Sequence, residues 1–276
     1  MVIGLEVLIF VTALGAGVFG ALIGVGGGLI MVPLLAVFLG VEIHIAIAAS
    51  LLGVIAVSTV ASTTYLDRGL ADRRLGLVLL VSTALGGVIG GYVAGLLDGR
   101  VLTGMFGVLM VWVAAQMVRG HGRPVPELVD VPGRLEFDSA YTEPTSGKVV
   151  PYRARRVGLG ALISIGAGAL SGLLGIGGGV VNVPTLNVLM GIPIRVATAT
   201  STYMLGATAA ASSVLYYSRG QIDPLLAAPV VLGVFVGARL GALLATRVAQ
   251  RTLQLGFAAV ALLFALQMLW KAWAGA

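Results

Sequence analysis

The amino-acid sequence predicts an all-α polytopic membrane protein made of two homologous repeats. Hydrophobic residues form 58% of it and charged residues only 10%, and its mean hydropathy is +1.06, outside the range of soluble domains. Long stretches almost free of charge run from 7–41 to 252–270, and a crossing needs about 20 apolar residues to cover about 30 Å of hydrocarbon. The run Gly24-Val25-Gly26-Gly27-Gly28, followed by Pro33, returns as Gly175-Ile176-Gly177-Gly178-Gly179, followed by Pro184, at a spacing of 151 residues (175 − 24). The same spacing pairs Gly40 with Gly191, Ser50 with Ser201, Tyr65 with Tyr216, Arg68-Gly69 with Arg219-Gly220 and Gln116-Met117 with Gln267-Met268.

Taken in order, the first repeat covers 1–118 with apolar stretches at 7–41, 43–66, 75–97 and 101–118. The second covers 157–276 with stretches at 157–194, 196–218, 225–238 and 252–270. In the longest stretch of each repeat a triple glycine interrupts the pattern. The arm after the first triplet, Leu29 to Leu39, is about 16 Å of helix and too short to cross alone. A broken or re-entrant helix in each repeat follows, with about 8–10 membrane segments in all. Gly86, Gly87, Gly90 and Gly91, and later Gly237 and Gly241, stand at the small-residue spacing that lets membrane helices approach closely.

Between the repeats, residues 119–156 change character. Seven basic residues (Arg119, Arg123, Arg134, Lys148, Arg153, Arg155, Arg156), five acidic ones and five prolines mark an aqueous linker. Its basic excess places it in the cytoplasm. A short strand pair fits around 128–150, and a catalytic domain does not. In the first repeat Arg68, Arg73 and Arg74 flank one loop and Arg100 the next; in the second, Arg219 flanks the first and Arg247 and Arg251 the next. If basic loops face the cytoplasm, the repeats are inverted; parallel four-plus-four repeats are the alternative. The net charge of +6 then orients the spans, and no nucleic-acid partner is expected. The first ten residues contain Glu6 and no Lys or Arg, so no cleavable signal peptide is expected.

Candidate binding residues cluster at the glycine breaks. Gly26, Gly27 and Gly28, with Gly177, Gly178 and Gly179, can turn sharply and aim N–H groups into one concavity that suits an anion. The alternative is that they only allow close helix packing. Asn182 stands beside the second triplet, and the run Ala197-Thr198-Ala199-Thr200-Ser201-Thr202 answers Ala46-Ile47-Ala48-Ala49-Ser50-Leu51 in the first repeat. Ser50, Thr200 and Ser201 are therefore candidates, in an asymmetric site. Arg239, deep in the apolar run Val230 to Ala245, is either a cation facing a substrate or a side chain that snorkels to the interface. Zero cysteines and two histidines leave no catalytic residue, metal site or cofactor to expect.

With these motifs the chain resembles the sulfite exporter TauE/SafE family, also described as the sulfonate uptake permease superfamily. The resemblance covers both repeats, with Gly24 to Gly28 and Gly175 to Gly179 as its signature. It implies a multi-pass inner-membrane carrier for sulfite, a sulfonate or another small sulfur-containing anion, in the lipid bilayer and with a homo-oligomer open. The first copy departs from the second at Ala49-Ser50 against Thr200-Ser201. A passive anion channel and, more remotely, an intramembrane enzyme using His44 or Ser171 are the rival readings.

Overall fold

The computed structural model describes residues 2–23, 26–119, 137–143, 148–244 and 250–274. Among these residues lie ten α-helices and one two-stranded sheet. Helices α1 (Val2–Ile23), α2 (Gly28–Pro33), α3 (Ile43–Asp67), α4 (Arg73–Ala94) and α5 (Gly99–Arg119) form the first half. Strands β1 (Phe137–Thr142) and β2 (Val149–Ala154) follow, and then α6 (Val157–Leu174), α7 (Gly179–Pro184), α8 (Ile194–Ser218), α9 (Pro224–Leu244) and α10 (Gln250–Ala274). The bounds of α2 and α3, moved by 151 residues, are those of α7 and α8. The chain is an all-α polytopic membrane protein, and among the described residues five helices are long and apolar enough to cross a bilayer: α3, α4, α5, α6 and α9. Helix α8 is equally long, but its threonines and serines dilute its hydropathy.

Local sequence explains the two short arms. Pro33 and Pro184 end their α-helical segments, and each is followed by a five-residue π-helical turn, Leu34–Phe38 and Thr185–Leu189. Proline has no N–H to donate and crowds the preceding turn, so the ladder widens there. Beyond each turn a left-handed glycine, Gly40 or Gly191, lets the chain reverse. Val41 N–H reaches back to the Leu35 carbonyl at 3.1 Å, and Ile192 N–H to that of Leu186 at 3.0 Å. Each bond closes one residue wider than the 6→1 bond of an ordinary glycine-capped helix, in keeping with the π turn before it.

Glycine contacts give the helix directions. A Cβ on Gly233, Gly237 or Gly241 of α9 would strike the backbone of Phe10, Leu14 or Val18 of α1 respectively, so these helices run parallel. In the same way Gly168 and Gly172 of α6 press on Thr83 and Gly87 of α4. Gly76 of α4 faces Tyr203 of α8, and Gly91 faces Leu215. Both α6 and α8 are thus parallel to α4. The chain between them must come back, and α7 with its π turn is that returning arm: a re-entrant hairpin. The equivalent helices α5 and α10 lie antiparallel, with Gly104 against Ala272 and Gly107 against Leu269.

The linker region contributes an antiparallel hairpin, with Phe137 opposite Ala154 and Thr142 opposite Val149. The sequence expectation of a strand pair at 128–150 falls partly on 128–136 and 144–147, outside the described residues; the strands run on to 154. Tyr141, Tyr152 and Ala154 are buried with Leu70, Leu186, Met190 and Ile192. The hairpin therefore caps the face that holds the α3–α4 connection and the outer end of the second arm. On the opposite face His44 Nε2 lies 3.2 Å from the Ala94 carbonyl, and Arg219 donates to the carbonyls of Gly91 and Tyr92 at 2.7 and 3.0 Å.

Candidate functional site

The two glycine breaks meet in the interior. Gly26, Gly27, Gly177 and Gly178 have φ of 85°, 73°, 78° and 78°, a region closed to ordinary L-residues. Gly26 and Gly177 share the same two neighbours, Val54 of α3 and Leu205 of α8. Gly28 sits so near the Gly175 carbonyl that a Cβ would overlap it. The hydroxyl of Ser50 donates to the Gly175 carbonyl at 2.8 Å and lies 3.4 Å from that of Gly28. One serine thus ties the tip of one half to the tip of the other.

Each arm starts by consuming some of its own donors. Gly28 N–H is used by Gly26, Ile30 and Met31 N–H by Gly27, and Val181 and Asn182 N–H by Gly178. Side chains offer the free capacity instead. Ser171 Oγ, Asn182 Oδ1 and Ser201 Oγ are buried without a hydrogen-bond partner. They belong to α6, α7 and α8 of the second half, which pack on one another, and Ser171 Cβ lies 3.4 Å from where a Gly178 Cβ would stand. Their positional equivalents are Gly20, Met31 and Ser50: no side chain, a thioether, and a hydroxyl already engaged. Unsatisfied buried polar groups are rare in native proteins and cost free energy unless something completes them.

Other candidates are placed elsewhere. Thr200 is buried, but its hydroxyl accepts the Asp72 N–H at 2.9 Å and its methyl faces Gly76. It belongs to the α4–α8 contact. Arg239 does not join the tips. It is exposed, beside Phe235, Val236 and Leu240 on the outer face of α9 and less than two turns from that helix's end. The expectation of a cation in the cavity is corrected here: α9 turns its glycine face, Gly233, Gly237 and Gly241, toward α1, which leaves Arg239 on the lipid side, free to snorkel. Two features escaped the sequence reading. Lys271 Nζ donates to the Ala36 carbonyl at 2.9 Å, bracing the first arm from α10, and Phe38 packs edge-on against Phe264 with centroids 5.9 Å apart. Their only sequence signal was a lone lysine closing the last apolar run.

The family model for the sulfite exporter TauE/SafE matches residues 9–268, which includes both glycine motifs and both re-entrant arms. The chain belongs to the TauE/SafE family. It is 29% identical to the probable membrane transporter protein YunE of Bacillus subtilis, over 96% of this chain and 97% of that one. It is 28% identical to a probable membrane transporter protein of Xylella fastidiosa, over 92% and 90% of the two chains. Similarity to the probable membrane transporter protein MamO of Paramagnetospirillum magneticum, 28%, spans 97% of this chain but 44% of that longer one. No solved structure matches. This TauE/SafE protein is accordingly a multi-pass membrane transporter, and the apposed tips are its best candidate for the place where a small molecule is held.

Proposed function

We propose that this TauE/SafE protein is an exporter of a small sulfur-containing oxyanion, sulfite or an organosulfonate, working by alternating access at the glycine tips. The observation that carries the reading is the buried, unpartnered set Ser171, Asn182 and Ser201 on α6, α7 and α8, the three mutually packed helices around the second tip. The two serine hydroxyls can donate to the acceptor oxygens of a tetrahedral or pyramidal oxyanion, and the Asn182 amide adds a donor when it is turned so that Nδ2 rather than Oδ1 faces the site. No carboxylate stands among the three. Gly177 and Gly178, without side chains, leave room for close approach. The contact of Gly28 with Gly175 closes the first half, so one substrate per protein is expected.

Orientation follows from charge. The hairpin face carries Arg68, Arg73, Arg74, Arg155, Arg156 and Arg195 with Asp67 and Asp72, while the other carries Arg100, Arg219 and Lys271 with Glu42, Asp98 and Asp223. The positive-inside rule then puts the linker in the cytoplasm of an inner-membrane protein. The antiparallel pair α5 and α10 and the parallel pair α4 and α8 support inverted repeats over the four-plus-four alternative. Export of an anion from a negative-inside cell is favoured by about 2.3 kcal/mol per charge per 100 mV, so no coupling ion is required. Purified protein in liposomes, offered labelled sulfite and a panel of sulfonates, tests the reading. Saturable uptake with counterflow is expected for at least one; linear flux without counterflow would mean a channel, and no flux of any sulfur oxyanion would end the proposal.

A further inference from the structure

We infer that the β-hairpin is a cytoplasmic gate over the second re-entrant arm, latched by the Tyr152 hydroxyl on the Asp72 carboxylate; the inference rests on the site and orientation proposed above. The hairpin has two unlike sides. Outward, Arg153 is paired with Asp138 at 2.6 Å in the open. Inward, the rings of Tyr141 and Tyr152 lie tilted at 57° with centroids 6.4 Å apart over the apolar end of the arm, and Arg155 N–H pairs with the Met190 carbonyl at 3.0 Å. A two-stranded ribbon is marginal by itself, so this seat holds it, and it can lift without unfolding the helices beneath.

One carboxylate connects the hairpin to the site. Asp72 is 8% exposed. Its Oδ2 accepts the Tyr152 hydroxyl at 3.0 Å, its Oδ1 accepts Leu75 N–H at the start of α4 at 3.1 Å, and its own N–H goes to Thr200 Oγ1, one residue before Ser201. Tyr152 and Asp72 are thus positioning residues that act through Thr200. The position equivalent to Asp72 is Asp223 (223 − 72 = 151). It is exposed and caps Leu225 N–H at 2.9 Å, and no strand covers it among the described residues. Among these residues the latch is therefore built on one face only, which is what a gate that opens to one compartment requires.

The chain contains no cysteine, so Ser201→Cys supplies a single thiol at the site. Its labelling by a membrane-impermeant methanethiosulfonate is followed in inside-out and right-side-out vesicles. Tyr152→Phe keeps the ring and removes only the hydroxyl. It should speed labelling from the cytoplasmic side about ten-fold, the scale of one lost hydrogen bond to a charge, and leave the outer side unchanged. Asp72→Asn, which keeps the cap, should act in the same direction. Equal rates in all backgrounds, or acceleration from both sides alike, would overturn the gate. Protection of the thiol by an alkanesulfonate, which does not react with the reagent or cleave the mixed disulfide as sulfite would, is scored separately: protection without acceleration defeats the gate and spares the site, and acceleration without protection does the reverse.

Discussion

Gly28 and Ser50 hold the contact between the tips of the two halves, and single atoms decide what happens there. Gly28→Ala places a methyl on the Gly175 carbonyl; the overpacking should cost about 1–3 kcal/mol and abolish transport while insertion persists, as liposome flux and a thermal melt would show. Gly178→Val adds the penalty of a positive φ and should do the same. Removing an orphan hydroxyl is milder. Ser201→Ala should weaken sulfite binding about ten-fold, the lower end of the range for one hydrogen bond to a charged group, measurable by calorimetry in detergent. If Ser201→Ala binds as tightly as the parent, the orphan groups are not the site. Arg239→Gln is expected to leave affinity within about two-fold, as for other surface positions. The residues that mattered for geometry were readable because a glycine run has few other uses mid-span. Arg239 was misleading for a clear reason: depth along a helix shows in sequence, but the side of the helix depends on which face meets a neighbour, and here three glycines decide that.

At the scale of elements, the re-entrant arms are the feature that the sequence constrained from both ends without choosing. An arm of Leu29 to Leu39 is too short to cross, yet a broken helix and a hairpin are equally consistent with that length. Packing selects the hairpin, since α6 and α8 both run along α4. The π turns were invisible because widening a turn after proline is a backbone response to tertiary contacts. The linker hairpin was legible only as a strand-sized segment, since its burial depends on Leu70, Leu186 and Met190, which lie in other parts of the chain. Burial also holds the Tyr152 phenol above its ordinary titration range, so it stays a donor to Asp72 throughout the physiological pH range. Labelling tests the element layout directly. A cysteine at Arg74 should react from the cytoplasm and one at Asp223 from outside; reaction of both from the same side would establish parallel repeats.

At the scale of the whole molecule, the halves exchange partners. The first helix of each packs along the fourth helix of the other, α1 on α9 and α6 on α4, and α5 lies on α10. The division into 1–118 and 157–276 describes sequence similarity, and packing crosses it nearly everywhere. Residues 1–118 produced alone should be degraded or aggregate. Produced together with 157–276 they should assemble, and co-purification with a tag on one half checks this. A stable, monodisperse 1–118 fragment would contradict the exchange. The same feature shapes how the chain is made. Helix α1 ends at Ile23 and its partner α9 begins at Pro224, so about 200 residues must be synthesised before the two can meet, roughly 10–40 s at ordinary elongation rates. Through that interval α1 enters the lipid with its final neighbour still unmade. Its own apolarity, rather than packing on α9, has to keep it in the bilayer until that helix is made.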